Sequence, residues 1–447
     1  MSIPRVLLAP THRTGLADAV AATVAEIATA GGRQVRYHHL GPIGPQSAWD
    51  RWEGTAFIDP SLYSREALLS LYNVATRGAA LSLLSSDVGL LDRREGASWI
   101  PTDVARLLDC PVVVVMDCRD WGAGVRIPAS GLRLQIKDLD LAGVVLSGVA
   151  DKDHFTLLRQ VLTEESIPVV GCLFEGDGPG WKEEAPGAGG LPLETSLLDA
   201  VSRQVDIAGL VSLAGRRGFL PSQTALVDRG ADGPIVAIAG GEGFTPWSRD
   251  SIEVLRGAGA QIRRLDLLED AGLPEGTAGL ILAGTLWQGA VPDIAMNTPL
   301  LSDIRRRVTN GLPTLALGGG MLLLLDRVHD SLGRTSDLAG VIPTEAEILW
   351  DADEPVYVEL VAATDGLLFA KGDSVTGWAL TEAEVMPPGP GWEPAFIVGG
   401  EGEGAGRPEG YSTGSLTVGR VLVHLASIAE MAPRFVRNCA EYAADVH

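Results

Sequence analysis

Apolar positions along this chain fall into two alternating patterns. Short unbroken runs of aliphatic and β-branched residues, such as "RVLLAP", "CPVVVVMDC", "LAGVVLSGV" and "IVAIAG", have no polar face. They predict strands covered on both sides in parallel sheets. Between them lie stretches with helical spacing, among them "GLADAVAATVAEIATAGG", which closes on glycines, and "HFTLLRQVLTEES". In chain order the first half reads as strand 5–10, helix 15–32, strands 33–40, 110–118 and 141–149, helix 154–166 and strand 167–174. The glycine- and proline-rich stretch 175–192 predicts a long loop, and 216–234 a second break.

After that break the alternation resumes with strand 235–240, helix 248–259 and strands 261–268 and 279–284. A helix over 299–309 is signposted by Thr298 at the N-cap, Pro299 at N1, Leu300, Leu301, Ile304 and Val308 on one face, and Asn310-Gly311 at the stop. Residues 312–325, "LPTLALGGGMLLLL", read as a buried strand running through a glycine turn into a buried helix. No short repeat or coiled coil interrupts the pattern. The prediction is an α/β chain of two doubly wound, mainly parallel-sheet domains, 1–215 and 234–447, joined by a linker over 216–233.

Composition narrows the partners. A formal charge of −22 over 447 residues gives no basic footprint for nucleic acid or an anionic membrane surface. No apolar stretch has the length of a membrane span, and "MSIPRVLLAP" lacks the form of a signal peptide. Cys110, Cys118, Cys172 and Cys439 are scattered, with no metal spacing, and read as buried thiols of a reducing cytoplasm. No metal site is expected.

A strand-to-helix glycine turn is where many α/β enzymes expose a nucleophile, yet the tip here is three glycines. The first turn, "APTHRTGLADA", stands where a phosphate loop would follow the first strand, but it lacks the GxxxxGK[ST] pattern. His12, Arg13, Thr14 and Gly15 are its candidate anion or cofactor contacts; a plain structural turn is the alternative. Asp117, closing "VVVVMD" at a carboxyl end, is a candidate for binding or simply for capping. Asp59, in "FIDP", is a candidate cleft residue or a turn-setting aspartate. In the second half the histidines are His329, His424 and His447, and His424, on the apolar run "VLVHLAS", reads as a core histidine or a catalyst. Trp121, Trp247, Trp287, Trp350, Trp378 and Trp392 stand mostly in predicted loops; Trp247, Trp287 and Trp378 are the candidates for stacking on a flat ligand.

Taken in order, these stretches resemble the cobyrinic acid a,c-diamide synthase family over nearly the whole chain. "HLGP" with "FIDP", "DVGLLD", "DVARLLDCPVVVVMDCR", "LAGVVLSGVADKDHFTLLRQVLTEESIPVVGCL", "GLILAGTLWQ", "GLPTLALGGGMLLL" and "GYSTGSLTVGRVLVHLASIAEMAPRFVRNCAEY" carry the likeness. It implies a P-loop domain of the dethiobiotin-synthetase type followed by a class I glutamine-amidotransferase domain, and amidation of corrinoid carboxylates with ATP, Mg²⁺ and glutamine. The chemical residues depart from the family. Gly318 stands at the nucleophile cysteine, Ala17 and Asp18 at the Walker lysine and threonine, Ser85 at a glutamate and Ala283 at the first oxyanion glycine. The family's GHEFHYS segment falls on "GWALTEA" (377–383), and His424 alone matches a C-terminal histidine.

Loss of the thiolate and of the P-loop lysine removes the glutaminase and ATP half-reactions separately, so use of ATP, Mg²⁺ and glutamine is in doubt. The expectation is a pseudoenzyme that keeps its cleft for a tetrapyrrole-like or other small ligand, or for a partner subunit. The alternatives are an enzyme of altered ATP- or ammonia-dependent amidation chemistry, and a structural or assembly protein that forms homo-oligomers or pairs with an active homologue.

Overall fold

The structure, a computed structural model, describes residues 3–41, 57–176, 195–217, 220, 233–349, 355–379, 383–400 and 405–446. Most of the predicted long loop and linker, with Trp350 and His447, lies outside the described residues. The described chain packs into two units. One takes residues 3–41, Phe57–Pro60 and 68–220; the other takes Ser61–Ala67 and 233–446.

The first unit is built on a seven-stranded sheet: β1 (Arg5–Pro10), β2 (Val35–Leu40), β3 (Phe57–Ile58), β4 (Leu81–Ser85), β5 (Val112–Asp117), β6 (Leu141–Val149) and β7 (Val169–Phe174). The order is β3-β2-β4-β1-β5-β6-β7, and every pairing is parallel. The unbroken apolar runs are buried except at a terminal residue of β5 and of β6, as two-sided cover requires. Helix α1 (Leu16–Ala30) lays Leu16, Ala17, Val20, Ala21, Val24 and Ala25 against Val6, Leu8, Leu83, Val113 and Val115. It stops at Gly31 and at Gly32, whose φ of 82° suits glycine. Strand order turns back at β1, so the carboxyl ends of β1, β4 and β5 form the switch point where α/β sheets place ligands.

The second unit opens with β8 (Ile235–Gly240), β9 (Phe244–Pro246), β10 (Gln261–Asp266), β11 (Thr277–Leu286) and β12 (Thr314–Gly318). Strands β10, β8, β11, β12 and Leu416–Gly419 run parallel in that order. Beyond Leu416–Gly419 the sheet continues antiparallel through 408–412, 393–398, 356–362, 374–379 and 421–423, so it is mixed, and a separate four-stranded sheet lies beside it in the chain. The α/β class therefore holds in both units.

Two local expectations are corrected. The helix over Thr298–Thr309 is capped by Asn297, whose side-chain oxygen accepts from Leu300 N–H, and Thr298 is already helical. The helix expected after the glycine turn is a single turn, Gly319–Leu322, and the chain then enters the strand Leu325–His329. All five residues from Met321 to Leu325 are buried, so the run has no solvent face to reveal a helical period, and continuous apolarity suits a strand equally.

Candidate functional site

In the second unit β12 lies between β11 and Leu416–Gly419, and its carboxyl end makes the sharp turn of a nucleophile elbow. Gly318 has φ 61° and ψ −132°, a backbone shape that side chains strain to adopt. The next two glycines have a different reason. A Cβ at Gly319 would lie 2.4 Å from the Leu286 backbone nitrogen and one at Gly320 1.4 Å from the Leu282 carbonyl oxygen, so the turn rests directly on β11.

The space a nucleophile would fill is closed. A Cβ at Gly318 would meet the Gly284 carbonyl oxygen at 2.8 Å and Leu422 Cδ2 at 3.0 Å. Leu422 lies in the strand Val421–Val423, in register with Trp378. The atoms nearest a Cβ at Gly318 are therefore a carbonyl oxygen and two leucine carbons.

His424 belongs to an aromatic core. Its ring lies 5.7 Å from Trp247 and 4.8 Å from Tyr63, and Trp247 in turn lies 5.4 Å from Trp378. Its Nδ1 accepts from Ala426 N–H at 3.1 Å, and burial pushes its pKa down to about 3, so the imidazole stays neutral. Trp378 lies inside the strand Ser374–Ala379 at 0% exposure and Trp247 at 3%, so neither is a loop tryptophan presenting a face to solvent; only Trp287, at 64%, does so among the three. Asp59 is fully buried, accepting from Trp99 Nε1 at 2.7 Å, which ties the end of β3 to the chain beyond β4.

In the first unit the turn after β1 is engaged by its neighbours. Thr14 N–H donates to the Asp87 carbonyl at 2.9 Å and Thr11 N–H to the Val115 carbonyl at 3.2 Å, so two donors that an anion cradle would need are used internally. Gly15 precedes α1 without a side-chain cap, and His12 and Arg13 are exposed. Asp117 is held by its neighbour Arg119, whose Nε lies 2.9 Å from Oδ2. Partial burial would raise the carboxyl's pKa, but the guanidinium and the Arg119 backbone N–H outweigh it and hold the pKa below the usual range.

A buried polar cluster joins Asp18 and Ser85 to His39 and Asp87, two residues the sequence did not single out. His39 of β2 and Ser85 of β4 are register partners, so both side chains leave the sheet on one face. Asp18, in the first turn of α1, meets them there: its Oδ1 accepts from Ser85 Oγ and lies 3.1 Å from His39 Nδ1. Tyr37 hydroxyl lies 2.7 Å from Ser85 Oγ, and Arg94 binds Asp87 Oδ2 on the other side. Burial pulls the His39 pKa down, but Asp18 and Asp87 outweigh it and raise it above the ordinary value. Burial pushes Asp87 up, while His39 and Arg94 bring it below the usual carboxylate range. The available signal was position: His39 and Asp87 stand at or just past the carboxyl ends of adjacent parallel strands.

A cavity of about 160 Å³ in the second unit, beside β8 and the helix Arg249–Gly257, is lined by Arg249, Arg256 and Arg264 together with Glu253 and apolar side chains. Three guanidiniums around one recess stand out in a chain of formal charge −22. Arg256 is already paired with Glu253 of the same recess, so a guanidinium there takes a carboxylate.

Comparison with known proteins places these features. No protein-family model matches the chain. It is 26% identical to the cobyrinate a,c-diamide synthase of Caldanaerobacter subterraneus subsp. tengcongensis, over 91% of this chain and 92% of that protein. It is 27% identical to the hydrogenobyrinate a,c-diamide synthase of Thermobifida fusca, over 94% and 92%, and 27% identical to that of Streptomyces coelicolor, over 98% of each. Among solved structures, PurLQS from Thermotoga maritima aligns with 47% of this chain and 99% of its own at a TM-score of 0.36 and 14% identity. A glutamine amidotransferase structure aligns with 47% of this chain and 98% of its own at 0.34 and 17%. No helix among the described residues is long and apolar enough to cross a membrane. Along nearly its whole length, then, the chain is similar to the cobyrinate and hydrogenobyrinate a,c-diamide synthases.

Proposed function

We propose that this a,c-diamide synthase-like protein is a relative without glutaminase activity, one that keeps the fold to bind a carboxylate-bearing ligand of tetrapyrrole type. The observation that carries the reading is the elbow: Gly318 has no side chain, and a Cβ there would meet the Gly284 carbonyl oxygen at 2.8 Å and Leu422 Cδ2 at 3.0 Å. An acyl-transfer site needs a nucleophile and a base within hydrogen-bond reach, and His424, the family-matching histidine, is buried among aromatic rings and pushed down to a pKa of about 3, which leaves it a weak base. The ATP half-reaction lacks its lysine as well, since Ala17 and Asp18 occupy the expected positions and Asp18 turns a carboxylate inward.

The arginine-lined cavity supports the ligand part. Its volume is too small for a macrocycle but fits a carboxylate arm of one. Glutaminase assays reading glutamate release, and calorimetry with cobyrinate and with a polycarboxylate porphyrin, test the proposal. Turnover of glutamine overturns the first half. Failure of every tetrapyrrole to bind overturns the second, and co-purification of a partner subunit with no ligand binding moves the assembly reading ahead.

A further inference from the structure

We infer that Asp18, His39 and Asp87 form a protein-only site for a first-row divalent cation, independent of any nucleotide. One ligand atom from each residue lies within 4.8 Å of the others, so modest side-chain movement brings all three onto a single ion with metal–ligand bonds of about 2.0–2.2 Å.

The second observation is what these groups lack. His39 Nε2 and Asp87 Oδ1 are buried atoms with no hydrogen-bond partner among the described residues. They face each other at 3.6 Å, an ion-pair distance that is beyond hydrogen-bond reach. His39 itself is only 5% exposed, and a buried imidazole nitrogen left without a partner is costly unless something occupies the space in front of it.

The surrounding groups are arranged as metal sites arrange theirs. Asp18 Oδ1 lies 3.1 Å from His39 Nδ1, which holds the ring with Nε2 turned to Asp87, where a binding metal ion would displace the Nε2 proton. Ser85 also bonds that carboxylate and Tyr37 supports Ser85, while Arg94 binds the other oxygen of Asp87 and leaves Oδ1 facing His39. One imidazole and two carboxylates, with no thiol, favour Mn²⁺, Fe²⁺, Co²⁺ or Zn²⁺ over Mg²⁺, which prefers oxygen alone.

The competing arrangement is a closed ion network in which a protonated His39 sits between the two carboxylates; it takes up no metal. The full chain, stripped with chelator and free of nucleotide, is titrated with Zn²⁺, Mn²⁺ and Co²⁺ by calorimetry, with bound metal counted by elemental analysis. The expected result is one equivalent bound, weakened at least a hundredfold in His39→Gln and in Asp87→Asn. The Co²⁺ form should show visible bands of nitrogen and oxygen ligation without a thiolate charge-transfer band, and a paramagnetically shifted imidazole resonance. That resonance is read on the wild-type chain, so it stands even if a variant folds poorly. No stoichiometric uptake, equal uptake by both variants, or a Co²⁺ form without the imidazole resonance overturns the site. Glutaminase results do not bear on it.

Discussion

Gly318→Ala tests whether the elbow has closed. The change adds one methyl group at a position with φ 61°, 2.8 Å from the Gly284 carbonyl oxygen and 3.0 Å from Leu422 Cδ2. Left-handed backbone costs a residue with a Cβ about 1–2 kcal/mol. Overpacking against a carbonyl that cannot rotate away adds about 1–3 kcal/mol. The sum, about 2–5 kcal/mol, lowers the unfolding midpoint of the second unit by on the order of 10 °C. If the position were open and conformationally ordinary, removing a glycine from the unfolded chain would instead stabilise by about 0.4–1 kcal/mol. The sign therefore decides.

Thermal and urea unfolding followed by tryptophan fluorescence give the number, with Leu422→Ala and the double variant closing a cycle. Leu422→Ala alone costs about 2–5 kcal/mol through the void it leaves. The double variant should cost less than the two singles together by about 1 kcal/mol or more, because the added methyl enters the space leucine vacates. A neutral or stabilising Gly318→Ala, or strict additivity, refutes the reasoning. Gly318→Cys, alone or with Leu422→Ala, should release no glutamate from glutamine, since the cross-strand neighbour on that side is Trp378.

Three further outcomes are expected. Stability should carry two opposed pH slopes: His424, held down to about 3, loses stability as pH falls below about 6.5, whereas Asp250, raised by burial to about 7, loses it as pH rises from about 4 to 7. His424→Phe should expose the falling slope and Asp250→Asn the rising one, each up to about 1.4 kcal/mol per pH unit in chemical unfolding; slopes that change in the same direction would contradict the assignment. The four free cysteines are buried, with Cys110 and Cys118 pushed up to about 12, so maleimide should label none of them in the native protein. On partial unfolding, mass spectrometry should separate Cys110, Cys118 and Cys172 of the first unit from Cys439 of the second. Arg249→Gln with Arg256→Gln should weaken binding of a polycarboxylate tetrapyrrole about tenfold or more and flatten its salt dependence, because a charge-assisted bond contributes about 1.5–3 kcal/mol; unchanged binding would place the ligand elsewhere.

Strands with unbroken apolar runs were legible because two-sided burial leaves a sequence mark that survives any context. Cys110–Cys118 and the 141–149 run became β5 and β6 with little change. The 312–325 run was legible as a buried element but not as to kind, because burial of every residue from Met321 to Leu325 erases periodicity. Thr298 and Asn297 both carry capping oxygens, and only backbone geometry selects between them. The tryptophans misled for a related reason: glycine beside Trp378 suggested a loop, whereas Gly377 lies in a strand where a Cβ would sit 2.6 Å from the Leu422 carbonyl oxygen. The grouping of Ser85 with His39 and Asp87 stayed hidden because strand order, not chain order, makes β2 and β4 neighbours.

The segment Ser61–Ala67 groups with the second unit although the residues on either side of it belong to the first, and its Tyr63 lies 4.8 Å from His424. Its consequence concerns the timing of synthesis. A ribosome delivers Tyr63 about 360 residues ahead of His424, so this piece of the second unit waits while all of those residues are made. The loop closed by that contact is long, which defers it to late in folding. A fragment beginning at residue 234 never receives the segment at all, and should expose the His424 aromatic core on one side even when its sheet is formed.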